Sequence, residues 1–128
     1  MTGHRYHVRP MNTIYLFIQS YTHDGRIGVL VEFEFELLVT ANEPEFITTS
    51  KDIAMHIAAL APRDVESLLA QPFVRDAESS VAQRLLALSA HVEDRVRVKR
   101  YVRWSNEVAG PTERQPEPPG APAMALRA

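Results

Sequence analysis

Between residues 26 and 39 the chain reads RIGVLVEFEFELLV. Ile27, Val29, Val31, Phe33, Phe35 and Leu37 alternate with Gly28, Leu30, Glu32, Glu34 and Glu36. A period of two puts the first set on one face of a strand and leaves the other face acidic at its far end. The preceding run, Thr13 to Tyr21 (TIYLFIQSY), is rich in β-branched and aromatic residues, and Asp24-Gly25 separates the two. That dipeptide tolerates the positive φ of a tight turn, so the two runs predict a β-hairpin.

From Asn42 the period becomes helical. Asn42 followed by Glu45 fits a capping box, and Pro44 falls in the first turn, where its missing N–H costs nothing. Phe46, Ile53, Ile57 and Leu60 form one stripe, with Ala54, Ala58 and Ala61 beside it, and Pro62 ends the helix. A short helix over Arg63 to Ala70 precedes Pro72. A third helix starts after Ser79 or Ser80, with Val81, Leu85, Leu88 and Val92 as its apolar stripe.

The last element, RVRVKRYVRW at 95–104, reads as a strand. Val96, Val98, Val102 and Trp104 share one face, interrupted by Arg100. Arg95, Arg97, Lys99, Tyr101 and Arg103 share the other. Interleaved basic and aromatic residues can form a nucleic-acid strip. Glu32, Glu34 and Glu36, however, are a matching acidic ladder in the same chain, and opposite charges on adjacent strands contribute roughly 0.2–1 kcal/mol per pair. A salt-bridged sheet face is therefore preferred, and nucleic acid is not expected as a partner. The order β-β-α-(α)-α-β specifies an α+β domain, a small antiparallel β-sheet (hairpin plus C-terminal strand) packed by two to three helices.

Composition sets the outer limits. The 128 residues suit one domain with a real core. Five of the nine prolines fall between Pro111 and Pro122, in GPTERQPEPPGAPA, which has no periodicity and almost no large apolar side chain. The expected organisation is a flexible N-terminus at 1–12, a folded domain at 13–108 and a disordered Pro-rich tail at 109–128. A net charge of −2 argues against bulk electrostatic coating of nucleic acid. The absence of cysteine excludes disulfides, thiolate metal sites and a cysteine nucleophile. Apolar runs such as Ile14 to Ile18 are far shorter than the ~20 residues of a membrane span, and the N-terminus lacks the apolar core of a secretory signal. A soluble, intracellular protein is expected.

Candidate chemistry is sparse. His4 and His7 are spaced H-x-x-H but lie in the N-terminal dozen without a carboxylate motif, and no H-E-x-x-H occurs. His23 precedes the turn and is expected in solvent, and His56 is expected at the boundary of the core. No Gly-rich phosphate loop or G-x-S-x-G elbow is present. Glu32, Glu34 and Glu36 stand side by side with basic partners available, so a structural role is preferred over acid–base work. Neither catalytic residues, cofactor nor metal are expected. Leu37, Leu38 and Val39 are unusual, being apolar at a strand-to-helix junction that is normally exposed. Such a tip can dock a partner or tuck beneath the helix.

Four segments carry a family resemblance. GRIGVLVE (Gly25 to Glu32), KDIAMHIAALAP (Lys51 to Pro62), QPFVRD (Gln71 to Asp76) and RVRVKRYVRW (Arg95 to Trp104) resemble elongation factor Ts, in the family's order and across about residues 17–105. The resemblance implies a cytoplasmic (or organelle-matrix) exchange factor of translation elongation that binds elongation factor Tu and releases its GDP. It implies no enzyme in the bond-making sense, and a homodimer in some members. In the family, the junction after the first long strand carries Thr-Asp-Phe and then Val-Ala-Arg-Asn, the Asp-Phe pair wedging against the partner. Here Leu37, Leu38 and Val39 stand at the first three positions, and Thr40, Ala41, Asn42 and Glu43 at the next four. The carboxylate is gone and the aromatic wedge is shortened. By the same resemblance the partner-binding positions are Leu37, Leu38, Val39, Thr40, Ala41 and Asn42. The family's N-terminal helical domain would precede residue 13, and its long helical segment before Q-P-F is reduced to RDVESLLA. The alternative is a degenerate binding or dimerisation module that keeps the fold without the exchange motif.

Overall fold

The computed structural model describes residues 13–106, so the expectations for 1–12 and 109–128 lie outside the described residues. Strands β1 (Tyr15–His23) and β2 (Ile27–Phe35) pair antiparallel, with Tyr15 opposite Phe35 and His23 opposite Ile27. Asp24 and Gly25 take φ of 55° and 66°, and the Arg26 N–H donates to the His23 carbonyl at 2.9 Å. Positive φ at both central residues is what the tight hairpin requires. A 3-10 turn (Leu38–Asn42) leads into α1 (Pro44–Leu60). Then come α2 (Val65–Ala70), β3 (Pro72–Phe73), β4 (Asp76–Ser80), α3 (Val81–Val92) and β5 (Arg97–Ser105). The main sheet has the order β1-β2-β5, all antiparallel, and β3 pairs with β4 in a small separate hairpin. This is the α+β architecture read from the sequence. The β3–β4 hairpin is additional: DAESS has no apolar alternation to announce a strand.

The helices cover one face of the main sheet. Phe46, in the first turns of α1, enters the core edge-on to Phe17, Phe33 and Phe35, with ring centroids 5.2, 5.7 and 5.4 Å away. T-shaped pairs at this separation add roughly 0.5–1.5 kcal/mol beyond burial of the rings. Ile53, Ala54, Ile57 and Ala58 continue the α1 stripe, and Val81, Leu85, Leu88 and Val92 of α3 close the core from the far side. The Ser80 side chain caps α3 in a full capping box with Gln83. Asp64, accepting from the Ser67 N–H at 2.8 Å, starts α2 two residues later than expected.

Several expectations need correction. β2 stops at Phe35 rather than running on through Val39, because the Glu36 and Leu37 N–H groups turn to the Asp94 carboxylate instead of a strand partner. The capping box of α1 does not form. The 3-10 turn consumes Asn42, Glu43 becomes the N-cap with no side-chain hydrogen bond capping the helix, and only the Pro44 start holds. Leu60 is exposed, since the helix ends one residue later at Ala61 in the left-handed region. His56 is fully buried rather than at the core boundary.

The largest correction concerns β5. A bulge lies where Glu32 pairs with Arg100 and Phe33 with Val98, leaving Lys99 unpaired. One extra residue inverts the alternation beyond it. Val96 and Val98 face the core, but past the bulge Tyr101 and Arg103 do, and Val102 and Trp104 move to the open face. The Tyr101 hydroxyl donates to the Pro62 carbonyl at 2.6 Å. Arg103 donates through Nε and an Nη to the Ala58 carbonyl at 3.1 and 3.0 Å. That carbonyl is one of the last four of α1, which have no partner within the helix, and a cation there also complements the helix dipole. The charge ladder is real: Arg100 meets Glu32 at 2.7 Å and Arg97 meets Glu34 at 2.9 Å.

Candidate partner-binding site

The junction between β2 and α1 splits the six candidate positions. Leu37 and Thr40 are buried and Ala41 is half-buried, whereas Leu38, Val39 and Asn42 are exposed. Leu38 is 67% exposed and Val39 46%, so the apolar tip neither tucks under the helix nor projects as a whole. Leu37 anchors it, and Leu38 and Val39 project.

Asp94, just past the end of α3, fixes this shape. It is buried, and its carboxylate accepts from the Glu36 N–H at 3.1 and 3.2 Å, the Leu37 N–H at 3.0 Å and the Thr40 hydroxyl at 2.6 Å. Two backbone donors that leave the β ladder thus find an acceptor, as buried amides must. The turn closes on itself through Thr40 N–H to Leu37 O at 2.9 Å and Glu43 N–H to Thr40 O at 3.1 Å. Asp94 carries no sequence signal of its own, and its contact lies 54 to 58 residues away along the chain. Beside the clasp, Glu36, Leu37, Leu86, Ala90, Glu93 and Arg95 line an open groove of about 590 Å³.

The histidines give no catalytic arrangement. The His56 Nδ1 accepts from the Val74 N–H at 3.0 Å, and its Nε2 lies 2.8 Å from Gln71 Oε1. An accepting Nδ1 fixes a neutral ring whose Nε2–H donates to Gln71. Burial lowers its pKa from the ordinary value, against the Gln71 bond, which raises it. His56 ties α1 to the β3–β4 segment. His23 is exposed, as expected, next to Tyr21 and Asp24. Among the described residues, no group of three or more histidines and carboxylates is placed to hold a metal ion. No helix there is long and apolar enough to cross a membrane.

Residues 2–67 match the family model described as elongation factor TS. Among curated relatives, the chain is 34% identical to an elongation factor Ts of Rubrobacter xylanophilus over 133 aligned positions, covering 68% of each protein. It is 29% identical to one of Acetivibrio thermocellus, covering 68% of this chain and 62% of that protein. Since 133 positions exceed the 128 residues of the chain, these alignments open gaps in it. It is 33% identical over 84 residues to one of Trichlorobacter lovleyi. There, and in the Alkaliphilus metalliredigens relative, the chain spans little more than a quarter of the protein's length, 27% and 28%. With the family model satisfied over half of the sequence and the Rubrobacter protein matched over two thirds of its length, this chain belongs to the elongation factor Ts family.

Proposed function

We propose that this chain binds elongation factor Tu through the turn Leu37–Asn42 and promotes release of its GDP, in the cytoplasm or an organelle matrix. It acts as a binding factor and not as a bond-making enzyme. The observation that carries this reading is the pair Leu38 and Val39, which project from a turn locked by Asp94. A projecting side chain can strain a partner only if its own base does not yield. Tighter binding to the nucleotide-free partner then lowers nucleotide affinity by the same factor, because linkage is reciprocal. Full burial of two aliphatic side chains contributes about 1.5–3 kcal/mol each, and each 1.4 kcal/mol of differential binding is about tenfold in nucleotide affinity.

The same two residues favour a second reading. Leu38 and Val39 offer neither a carboxylate nor an aromatic ring, so the chain docks without exchanging, alone or as a homodimer. GDP release from elongation factor Tu, with wild type beside Leu38→Asp/Val39→Phe, separates the two. Acceleration by wild type is the expected result. Acceleration by the double variant alone identifies a docking platform without its wedge. No binding and no acceleration by either chain overturns both readings.

A further inference from the structure

The end of α3 carries a residue that its local structure does not favour. Glu93 takes a φ of 58° and a ψ of 42°, in the left-handed region. Glycine suits that position, since a Cβ there crowds the backbone. A carboxylate is disfavoured a second time, because the C-terminal end of a helix is its negative end. Ala61 ends α1 in the same region but brings no charge. The bond that stops α3 runs from the Glu93 backbone N–H to the Ser89 carbonyl, so the side chain contributes nothing to it. The carboxylate instead belongs to an exposed residue lining the groove beside the clasp. Leu86, Ala90 and Glu93 follow at i, i+4 and i+7, a stripe separate from the buried stripe Val81, Leu85, Leu88 and Val92. All three are exposed, Leu86 by 71%. Leu37, the buried anchor of the turn and the neighbour of Leu38, lines the same groove.

We propose that Glu93 and Leu86 form a second contact with the partner that docks on Leu38 and Val39, receiving a lysine or arginine side chain of that partner. This rests on the binding of elongation factor Tu proposed above. The chemistry commits to a long cation. Its methylene stem covers apolar surface while its charged head stays in water, and Leu86 and Ala90 leading to Glu93 offer that layout. The charge is complementary, since Glu36, Glu93 and Asp94 line the groove against one cation, Arg95. The groove is continuous with the turn, because Leu37 is part of both. A partner seated on Leu38 therefore borders the groove without any change in the fold. The glutamate weakens the helix end that presents it and strengthens the interface, a common trade between stability and function.

Binding to nucleotide-free elongation factor Tu would be measured at low and high salt for the wild type, Glu93→Gly, Glu93→Lys, Leu86→Ser and Val39→Ser, with a Tm for each. Glu93→Gly should separate fold from recognition. Its Tm rises by a few degrees, because glycine relieves the left-handed cap. Its affinity falls about fivefold at low salt and less at high salt, as for a screened ion pair at an interface rim. Glu93→Lys should fall further through like-charge repulsion, and Leu86→Ser about tenfold through lost burial. Wild-type affinity in both Glu93 variants and in Leu86→Ser, with Val39→Ser weakened, overturns the second contact and leaves the turn as the docking site. So does a lowered Tm in Glu93→Gly, since the glutamate would then serve the fold, or a loss of affinity that salt does not diminish. A wild type that fails to bind overturns the docking reading itself, and this contact with it.

Discussion

Replacing Asp94 tests the clasp most directly. Asp94→Ala leaves the Glu36 N–H, the Leu37 N–H and the Thr40 hydroxyl without their acceptor. A buried donor stripped of its partner costs about 1–3 kcal/mol. Glu36 is only partly buried and the adjoining groove is open, so water can reach part of the site. The expected loss is therefore about 3 kcal/mol, less than three full penalties. That is a large share of the ~5–15 kcal/mol that holds a domain together. Asp94→Asn discriminates further. Its single oxygen, placed where Oδ2 sits, keeps the bonds to Leu37 and Thr40, so about 1 kcal/mol is lost. Equilibrium urea denaturation gives the stabilities, and amide hydrogen exchange at residues 36 and 37 locates the effect. The alanine variant should lose protection at those two amides beyond what global unfolding explains. An unchanged urea midpoint with both amides still protected would refute the clasp.

Three further outcomes are expected. Because burial depresses the His56 pKa, the unfolded chain takes up a proton first as pH falls. Stability should be full above the ordinary histidine pKa of about 6.5 and decline from there down through the folded value; urea titrations across this range should show the slope, and His56→Gln should flatten it. Ala61 holds a φ of 48° at the end of α1, in a region costly for any residue with a Cβ; Ala61→Gly should stabilise by about 0.5–1 kcal/mol, read as a raised Tm. A double-mutant cycle of Glu32→Gln and Arg100→Met should give a coupling of about 0.5–1 kcal/mol that shrinks with salt, because Arg100 is largely exposed.

Wherever the elements obey a single period, the sequence predicts them well. The hairpin, the α1 and α3 stripes and the Ser80 cap follow from local pattern, because each is decided by neighbours a few residues away. The errors fall where distant residues decide. The parity of β5 depends on a bulge whose partner strand lies 68 residues upstream, so Trp104 and Tyr101 exchange faces. The β3–β4 hairpin is short and polar, and its anchor, His56 to Val74, joins separate elements. The same holds at the candidate site. Alternation and apolar character single out Leu37, Leu38 and Val39, but which of them projects is set by Asp94, a lone acid with no pattern around it.

The position of β5 has a consequence for how the protein is made. The central strand β2 gains its second neighbour only from β5, the last strand among the described residues, and the carbonyl end of α1 waits for Arg103 from that strand as well. During synthesis β1, β2 and all three helices emerge before that strand exists. Until it arrives, β2 presents an unpaired edge, and such edges recruit other chains. Pairing across so long a loop is also slow. The nascent chain therefore depends on β5 both to complete the sheet and to end an aggregation-prone interval, so a ribosome stalled before residue 105 would leave a chain with most of this core and no way to close it.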